Sequence, residues 1–170
     1  HVEVSFTGPS PAEAVARIPG VRDVVGDDGV VRLRVEGPMD ALVKELARWK
    51  WSIMTGVNTL FNGLLNTPGF DRLEFSALKA VIGGGSAVLK PVAERWQQVT
   101  GRCITEGYGL TEASPVACAN PIGTPWNGTI GMPFSSTDVS IRDDDFNELP
   151  VWTGQGDIEQ HDVGAPGPDR

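Results

Sequence analysis

Two glycine-rich segments carry the residue types best suited to chemistry in this sequence. They are Gly83-Gly84-Gly85 and the segment 106–112, which is EGYGLTE. A glycine triplet removes side chains, so a flat ring can lie against the backbone. In the second segment the ring of Tyr108 can stack on a base, the Thr111 hydroxyl can reach a phosphate oxygen, and the Glu112 carboxylate suits Mg²⁺. Together the two segments predict a nucleotide site.

Each of these signals also has an ordinary structural explanation. A glycine triplet alone is typical of a loop, a single tyrosine of a core or rim position, and a Thr-Glu pair of a helix start. The complete EGYGLTE segment, placed directly after a strand, is much rarer by chance than any one of its parts. The combination therefore favours the nucleotide hypothesis over the separate explanations.

The elements around the two loops have the order expected of an α/β sheet. Helical spacing predicts helices over 57–65 and 91–99, and short apolar runs predict buried strands over 78–82 and 103–105. If the two strands are parallel neighbours, the crossover is right-handed and both loops lie at the same sheet edge. Ligands bind at the carboxyl ends of strands in open α/β sheets, so this edge is the predicted site.

The first part of the chain predicts a small α+β unit. Alternation predicts strands near 2–6, 21–25 and 31–35, with a hairpin turn at 26–29; proline positions predict helices over 11–18 and from Pro38. All five tryptophans occur at or after Trp49, which indicates a boundary near 48–49. The predicted fold class is therefore α/β, with a βαββα sandwich over 1–48, a partial α/β sheet over 49–150 and an unassigned tail over 151–170. A strand over 138–142 and a turn at 143–145 are also predicted.

Composition excludes several classes of function. The 170 residues carry a formal net charge of −8, which argues against binding to nucleic acid or to anionic lipid. No apolar run is long enough to span a membrane, so we expect no transmembrane segment. Cys103 and Cys118 form no zinc-like or disulfide pattern, which fits a cytoplasmic protein.

Residues 49–150 resemble the middle of a long-chain fatty acyl-CoA synthetase, a member of the adenylate-forming (AMP-binding) superfamily. The resemblance rests on EGYGLTE, on the WSIMTGVNTLF and VIGGGSAVLKP segments before it, and on NGTIGMPFSSTD after it. It implies an ATP-dependent ligase with ATP, Mg²⁺ and coenzyme A as cofactors. A fatty acid would be converted first to an acyl-adenylate and then to a thioester, with these small molecules as the partners.

The resemblance also implies roles for particular residues. Tyr108 would stack on adenine, Thr111 would contact the α-phosphate and Glu112 would bind Mg²⁺, which makes the last two the catalytic candidates. The other cofactor-binding candidates are Gly84, Gly85, Ser86, Glu106, Gly107 and Gly109. The candidates on the acyl side are Thr55, Gly56, Val57, Val81 and Gly83. The phosphate loop with its lysine and the lid domain of the family are missing, so we expect no ligase activity from this chain alone.

Residues 2–48 resemble the accessory domain that follows the ATPase domain in some bacterial drug-export ABC transporters. This resemblance implies an alternative function, a non-catalytic module that contacts transporter subunits through residues 1–48. A third hypothesis is a misassembled join near 48–49 without a selected function. Asp157 in the tail is a weak candidate for the ribose-binding aspartate of the ligase family. We also expect the partial sheet to leave apolar faces or strand edges exposed.

Overall fold

The computed structural model describes residues 2–6, 11–27, 29–36, 39–113 and 116–149. The chain forms two units by its internal contacts, residues 1–138 and residues 139–170. The predictions that concern Pro38, Asp157 and the tail over 151–170 lie outside the described residues.

The first unit contains eight strands and four helices in its described residues. The strands are β1 (Val2–Phe6), β2 (Val21–Asp27), β3 (Val30–Val35), β4 (Trp51–Gly56), β5 (Ala80–Gly83), β6 (Ile104–Tyr108), β7 (Cys118–Ala119) and β8 (Met132–Pro133). The helices are α1 (Ala12–Ala16), α2 (Asp40–Leu46), α3 (Asn58–Leu65) and α4 (Lys90–Thr100). Short 3₁₀ turns follow at Phe70–Arg72 and Thr111–Ala113.

One mixed sheet contains all eight strands, in the order β2-β3-β1-β4-β5-β6-β7-β8. The three central neighbours β4, β5 and β6 run parallel, and the strands on both sides of them pair antiparallel. The α/β fold class is thereby confirmed. Each connection within the parallel part of the sheet contains a helix, since α3 lies between β4 and β5 and α4 lies between β5 and β6.

The predicted N-terminal order of strand, helix, hairpin and helix is present as β1, α1, β2–β3 and α2. Helix α1 ends at Ala16 rather than at Ile18, and β2 continues to Asp27 because it pairs with β3 up to Val30. Strand β1 lies between β3 and β4 and pairs with both. The βαββα segment and the parallel strands therefore share one continuous sheet.

Strand β4 was not predicted, because its apolar residues do not alternate. Trp51 and Met54 are both buried although three positions separate them. The pairing with β1 shifts register between Ser5, which faces Ile53, and Phe6, which faces Trp51, so Ser52 is an extra residue. This bulge brings Trp51 and Met54 to the same face of the sheet and hides the strand from a search for period-two patterns.

Aromatic rings of α3, α4 and the first 3₁₀ turn form the centre of the core. The ring centroids of Phe61 and Trp96 are 5.0 Å apart, and those of Phe70 and Trp96 are 5.3 Å apart. All three side chains are almost completely buried. Edge-to-face aromatic contacts add about 0.5–1.5 kcal/mol to the burial of apolar area. These contacts hold α3 and α4 beside the parallel strands whose ends form the candidate site.

Apolar side chains near β7 and β8 are exposed, as expected of a partial sheet. Ile122, Met132 and Phe134 are 68%, 65% and 52% exposed. Strand β8 is the last strand on its side of the sheet. No helix among the described residues is long and apolar enough to cross a membrane.

The described residues of the second unit form a tight turn. The Asp143 backbone carbonyl accepts the N–H of Phe146 at 2.9 Å, and the Asp143 carboxylate accepts the side-chain amide and the backbone N–H of Asn147. These hydrogen bonds lower the pKa of Asp143. The predicted turn is therefore present, but the predicted strand over 138–142 is wrong, because only Arg142 forms a bridge, to Glu148. Val139 and Ile141 stay exposed, so no apolar layer stabilises a strand there.

Candidate functional site

The carboxyl ends of β4, β5 and β6 meet at one edge of the sheet. In the parallel register Gly56 lies beside Gly83, and Gly83 lies beside Glu106. The N–H of Gly84 donates to the carbonyl of Gly56 at 3.1 Å, so the first glycine loop begins in direct contact with the end of β4. The prediction that both glycine loops leave the same sheet edge is confirmed.

Close packing explains the first glycine of the triplet. A Cβ on Gly83 would lie 2.6 Å from Cγ2 of Val88 and 2.9 Å from Cγ2 of Ile104, which is too close for any side chain. A Cβ on Gly84 would lie 3.4 Å from the carbonyl oxygen of Gly107, so the first glycine loop approaches the end of β6 here. The triplet thus permits a compact edge whose surface is made largely of backbone.

The third glycine lets the chain turn at this edge. Gly85 has a φ of +74°, a conformation that other residues rarely adopt. Ser86, the next candidate, is exposed. A flat surface of backbone followed by an exposed hydroxyl is an arrangement that a planar ring with polar edges can contact.

Three side chains from distant parts of the sequence hold the segment 84–89, which we call the braced loop. Oε1 of Glu106 accepts the N–H of Val88 at 2.9 Å, and Oδ1 of Asn58 accepts the N–H of Leu89 at 3.0 Å. The indole N–H of Trp126 donates to the carbonyl of Val88 at 2.8 Å. The braced loop is therefore positioned by contacts that no local sequence pattern shows.

Glu106 has a structural role in this arrangement. It was expected to contact the cofactor, but its carboxylate is partly buried and bound to the Val88 N–H. Burial raises the pKa of Glu106 above its ordinary value of 4.5, while the hydrogen bond from Val88 lowers it. Its own backbone carbonyl accepts the N–H of Asn120 at 3.0 Å. Glu106 thus links the end of β6 to the braced loop on one side and to the chain after β7 on the other.

The segment 109–113 follows β6 and presents its side chains differently. Tyr108 is the last residue of β6, where it pairs with Cys118 and accepts the N–H of Ala117 at 2.9 Å. Thr111 and Glu112 lie in the 3₁₀ turn and are exposed. No hydrogen bond or ion pair joins the Glu112 carboxylate to another described residue. We call 109–113 the open loop.

The donor atoms of the open loop fit a magnesium ion chemically. Mg²⁺ prefers hard oxygen ligands and is commonly bound through one or two carboxylates together with substrate phosphates. The exposed Glu112 carboxylate offers such oxygens, and the Thr111 hydroxyl is the preceding side chain in the same turn. The Glu106 carboxylate is less suited, because the Val88 N–H already occupies one of its oxygens.

The candidates on the acyl side divide between the buried part of β5 and the half-buried end of β4. Val81 is 1% exposed. It lies two positions before Gly83 in β5 and therefore on the same face, which packs against Val88, Ile104 and Phe61. Thr55, Gly56 and Val57 lie at the end of β4 and are half-buried, so they remain accessible at the edge. The structure therefore brings Thr55–Val57 to the same edge as the two loops and places Val81 in the core beneath them.

Comparison with known proteins agrees with this fold. The family model described as "AMP-binding enzyme" matches residues 29–159, more than half of the chain. The chain therefore belongs to the AMP-binding enzyme family. It is 49% identical over 122 residues to the long-chain-fatty-acid–CoA ligase of Yersinia pestis, covering 70% of this chain and 22% of that protein. It is 47% identical over 125 residues to the same enzyme of Escherichia coli O6:H1, covering 72% and 22%.

A solved structure supports the fold independently. A benzoate CoA ligase from Burkholderia xenovorans matches with a TM-score of 0.59 and 25% identity, over 67% of this chain and 23% of that chain. The chain thus spans about a fifth of the length of the curated relatives that it matches.

The family match includes residues 29–48, which lie inside the segment that resembles a transporter accessory domain. None of these comparisons supports a transporter partner. The division of the chain at 48–49 stays a prediction, and the continuous pairing of β1 with β4 joins the two sides of that position in the structure.

Proposed function

We propose that this chain is the central, nucleotide-binding segment of an ATP-dependent long-chain fatty acid–CoA ligase. The observation that carries the proposal is the convergence of three parallel strand ends, two glycine loops and the exposed Thr111–Glu112 turn at one sheet edge. The identity of nearly one half to long-chain-fatty-acid–CoA ligases supports this substrate class. The exporter-module alternative is not favoured, since the family match covers most of the chain.

In this proposal the braced loop and Tyr108 hold the adenine. The backbone of Gly84 and Gly85, with Ser86 beside it, forms one wall, and the half-buried ring of Tyr108 stacks on the base. Base–aromatic stacking contributes about 1–3 kcal/mol. Gly107 and Gly109 flank Tyr108 and keep other side chains away from the ring. Glu106 acts indirectly, because its carboxylate fixes the wall rather than the ligand.

The open loop binds the phosphates and the metal in this proposal. The Thr111 hydroxyl donates to an oxygen of the α-phosphate, and the Glu112 carboxylate holds Mg²⁺. A bound magnesium ion supplies positive charge that offsets the charge developing on the phosphates. Because the substrate carboxylate is itself the nucleophile, the site needs no activated serine or cysteine. The carboxylate bonds to the α-phosphorus of ATP and displaces pyrophosphate, which gives the acyl-adenylate. The thiol of coenzyme A then takes the acyl group, with release of AMP and of the thiol proton.

The acyl chain of the fatty acid lies along the end of β4 in this proposal. Thr55, Gly56 and Val57 contact it directly, and Val81 and Gly83 support that surface from the core. A cytoplasmic location follows from the proposed substrates, ATP and coenzyme A.

Nucleotide binding by the purified chain tests the proposal. With stacking and one or two polar contacts, we expect AMP to bind with a Kd of about 1 mM, or about −4 kcal/mol. Saturation-transfer NMR with AMP as the probe should show contact to the adenine protons. Tyr108→Ala should abolish the signal and Tyr108→Phe should retain it. Binding that survives Tyr108→Ala would place the adenine elsewhere.

A second measurement separates the metal role from the adenine role. Addition of Mg²⁺ should tighten ATP binding to the wild-type chain, and Glu112→Gln should remove this gain while AMP binding stays unchanged. Glu94→Gln, an exposed carboxylate on α4, is the matched control and should change neither. We expect no acyl-AMP from ATP and palmitate above a Glu112→Ala control. Formation of acyl-AMP above that control would contradict the prediction that the chain is inactive alone.

A further inference from the structure

Two Asn-Gly pairs occur in the sequence, Asn62-Gly63 and Asn127-Gly128. In such a pair the glycine nitrogen can attack the side-chain carbonyl of the asparagine, because no glycine side chain shields the approach. The sequence alone makes the two pairs equivalent. The structure places them in opposite environments.

Helix α3 protects the first pair. Gly63 lies inside the helix, where its N–H is committed to the helical hydrogen bond. Oδ1 of Asn62 accepts the side-chain amide of Asn66 at 3.1 Å. The flanking Phe61 and Leu64 are completely buried. Freeing the Gly63 nitrogen therefore requires opening α3 and exposing core side chains, which costs much of the stability of the fold.

The second pair lies in an exposed turn that folds the asparagine side chain back over its own backbone. Oδ1 of Asn127 accepts the N–H of Thr129 at 3.0 Å. It is also the nearer of two acceptors for the Thr129 hydroxyl, at 3.0 Å against 3.3 Å for Oδ1 of Asn120. These two donors draw electron density from the side-chain carbonyl and make its carbon easier to attack. Gly128 has a φ of +72°, and its N–H donates to no other described residue. The attacking nitrogen is thus free and the carbonyl is polarised.

We propose that Asn127 is a site of spontaneous deamidation in the folded protein. Base removes the proton of the Gly128 nitrogen, which bonds to Cγ of Asn127; the Cγ–Nδ2 bond breaks and ammonia leaves with a proton from solvent, giving a succinimide. Water then opens the ring at either carbonyl and gives aspartate or isoaspartate at position 127. The net reaction consumes one water, releases one ammonia and involves no oxidation or reduction.

The modification would act beside the braced loop. The amide of Asn127 donates to Oδ1 of Asn120 at 3.1 Å, and deamidation replaces this donor with a second acceptor. The adjacent Trp126 donates to the Val88 carbonyl. The reaction also adds a negative charge to a chain whose formal net charge is already −8.

Peptide mass spectrometry of the full chain, aged in mildly alkaline buffer, tests the proposal with Asn62 as internal control. In the native protein Asn127 should convert at least about tenfold faster than Asn62, since reaction at Asn62 waits for opening of α3. In concentrated urea the two rates should become similar. Equal native rates, or an Asn127 that converts only in urea, would overturn the proposal.

Variant Thr129→Val tests the activating role of the hydroxyl. It keeps the backbone N–H donor and removes the Oγ1 donor, so Asn127 should convert a few times more slowly in the native chain and at an unchanged rate in urea. The conversion rate in native wild-type protein should rise with pH, because base removes the Gly128 proton. If Thr129→Val slows the conversion of Asn127 equally in the native chain and in urea, the effect comes from the local sequence. That result would contradict an activating role for the folded turn.

Discussion

The braced loop and the open loop leave adjacent parallel strands at the same edge, yet the structure treats them in opposite ways. The braced loop is held through its backbone by Glu106, Asn58 and Trp126. The open loop exposes Thr111 and Glu112, and no other described residue binds the Glu112 carboxylate. The braced loop thus provides a fixed backbone surface, and the neighbouring open loop provides exposed polar side chains. The two glutamates of the EGYGLTE segment differ in the same way, since Glu106 has a structural role and Glu112 is available to a ligand.

The largest expected effect concerns the packing beneath the braced loop. Gly83→Ala places a Cβ against Val88 and Ile104, and overpacking of this kind costs about 1–3 kcal/mol. Gly84→Ala, where the nearest atom is the Gly107 oxygen at 3.4 Å, should cost less than about 1 kcal/mol. Urea denaturation followed by tryptophan fluorescence measures both. If both variants lose the same free energy of unfolding, the braced loop relaxes around a new side chain and is not fixed.

The two glutamates give the next largest contrast. Glu106→Ala leaves the Val88 N–H without its acceptor and should lower the free energy of unfolding by about 1–3 kcal/mol. Glu112→Ala removes an exposed side chain and should change it by no more than about 0.5 kcal/mol. The same denaturation experiment compares them. A Glu112→Ala loss as large as that of Glu106→Ala would erase the distinction between the loops.

A pH series tests how burial of the Glu106 carboxylate affects stability. Burial gives Glu106 a folded-state pKa above 4.5, so the folded protein holds its proton more tightly than the unfolded chain does. This contribution to stability is complete below pH 4.5 and is lost as the pH rises through the raised pKa. Glu106→Gln keeps an acceptor for Val88 and cannot titrate. Wild-type stability, measured by urea denaturation at each pH, should therefore fall relative to Glu106→Gln across that window.

Much of the candidate edge could be predicted because its signals are local. Glycine triplets, apolar runs and helical spacing near 78–112 are short-range patterns, and they placed β5, α4 and β6 in the right order. The braces could not be predicted in this way, because Asn58 and Trp126 lie far in sequence from the loop that they hold. Only the tertiary fold brings them together, and the resemblance to a family named Glu106 without indicating its structural partner.

Strand β4 shows a different limit of local patterns. The bulge at Ser52 breaks the alternation that would have revealed this strand. Strand β4 nevertheless joins the N-terminal βαββα segment to the parallel strands. Conversely, the alternation at 138–142 is regular and forms only one bridge, because no apolar layer covers Val139 and Ile141. Period-two patterning describes a strand that packs in a regular sheet, and it fails where pairing is irregular or burial is absent.

The smallest expected effect tests the brace from α3. Asn58→Ala removes the acceptor of the Leu89 N–H, but the bond is exposed and water can replace it, so the loss should be about 0.5 kcal/mol. Asn58→Asp keeps an acceptor and places a negative charge at the first residue of α3, which is favourable, so stability should equal or exceed wild type. Amide exchange localises the effect: the Leu89 N–H should lose protection in Asn58→Ala, while the Val88 N–H, bound to Glu106, keeps it. If Val88 loses protection equally, the braced loop opens as one unit and its three braces act together; if neither amide changes, α3 does not hold the loop.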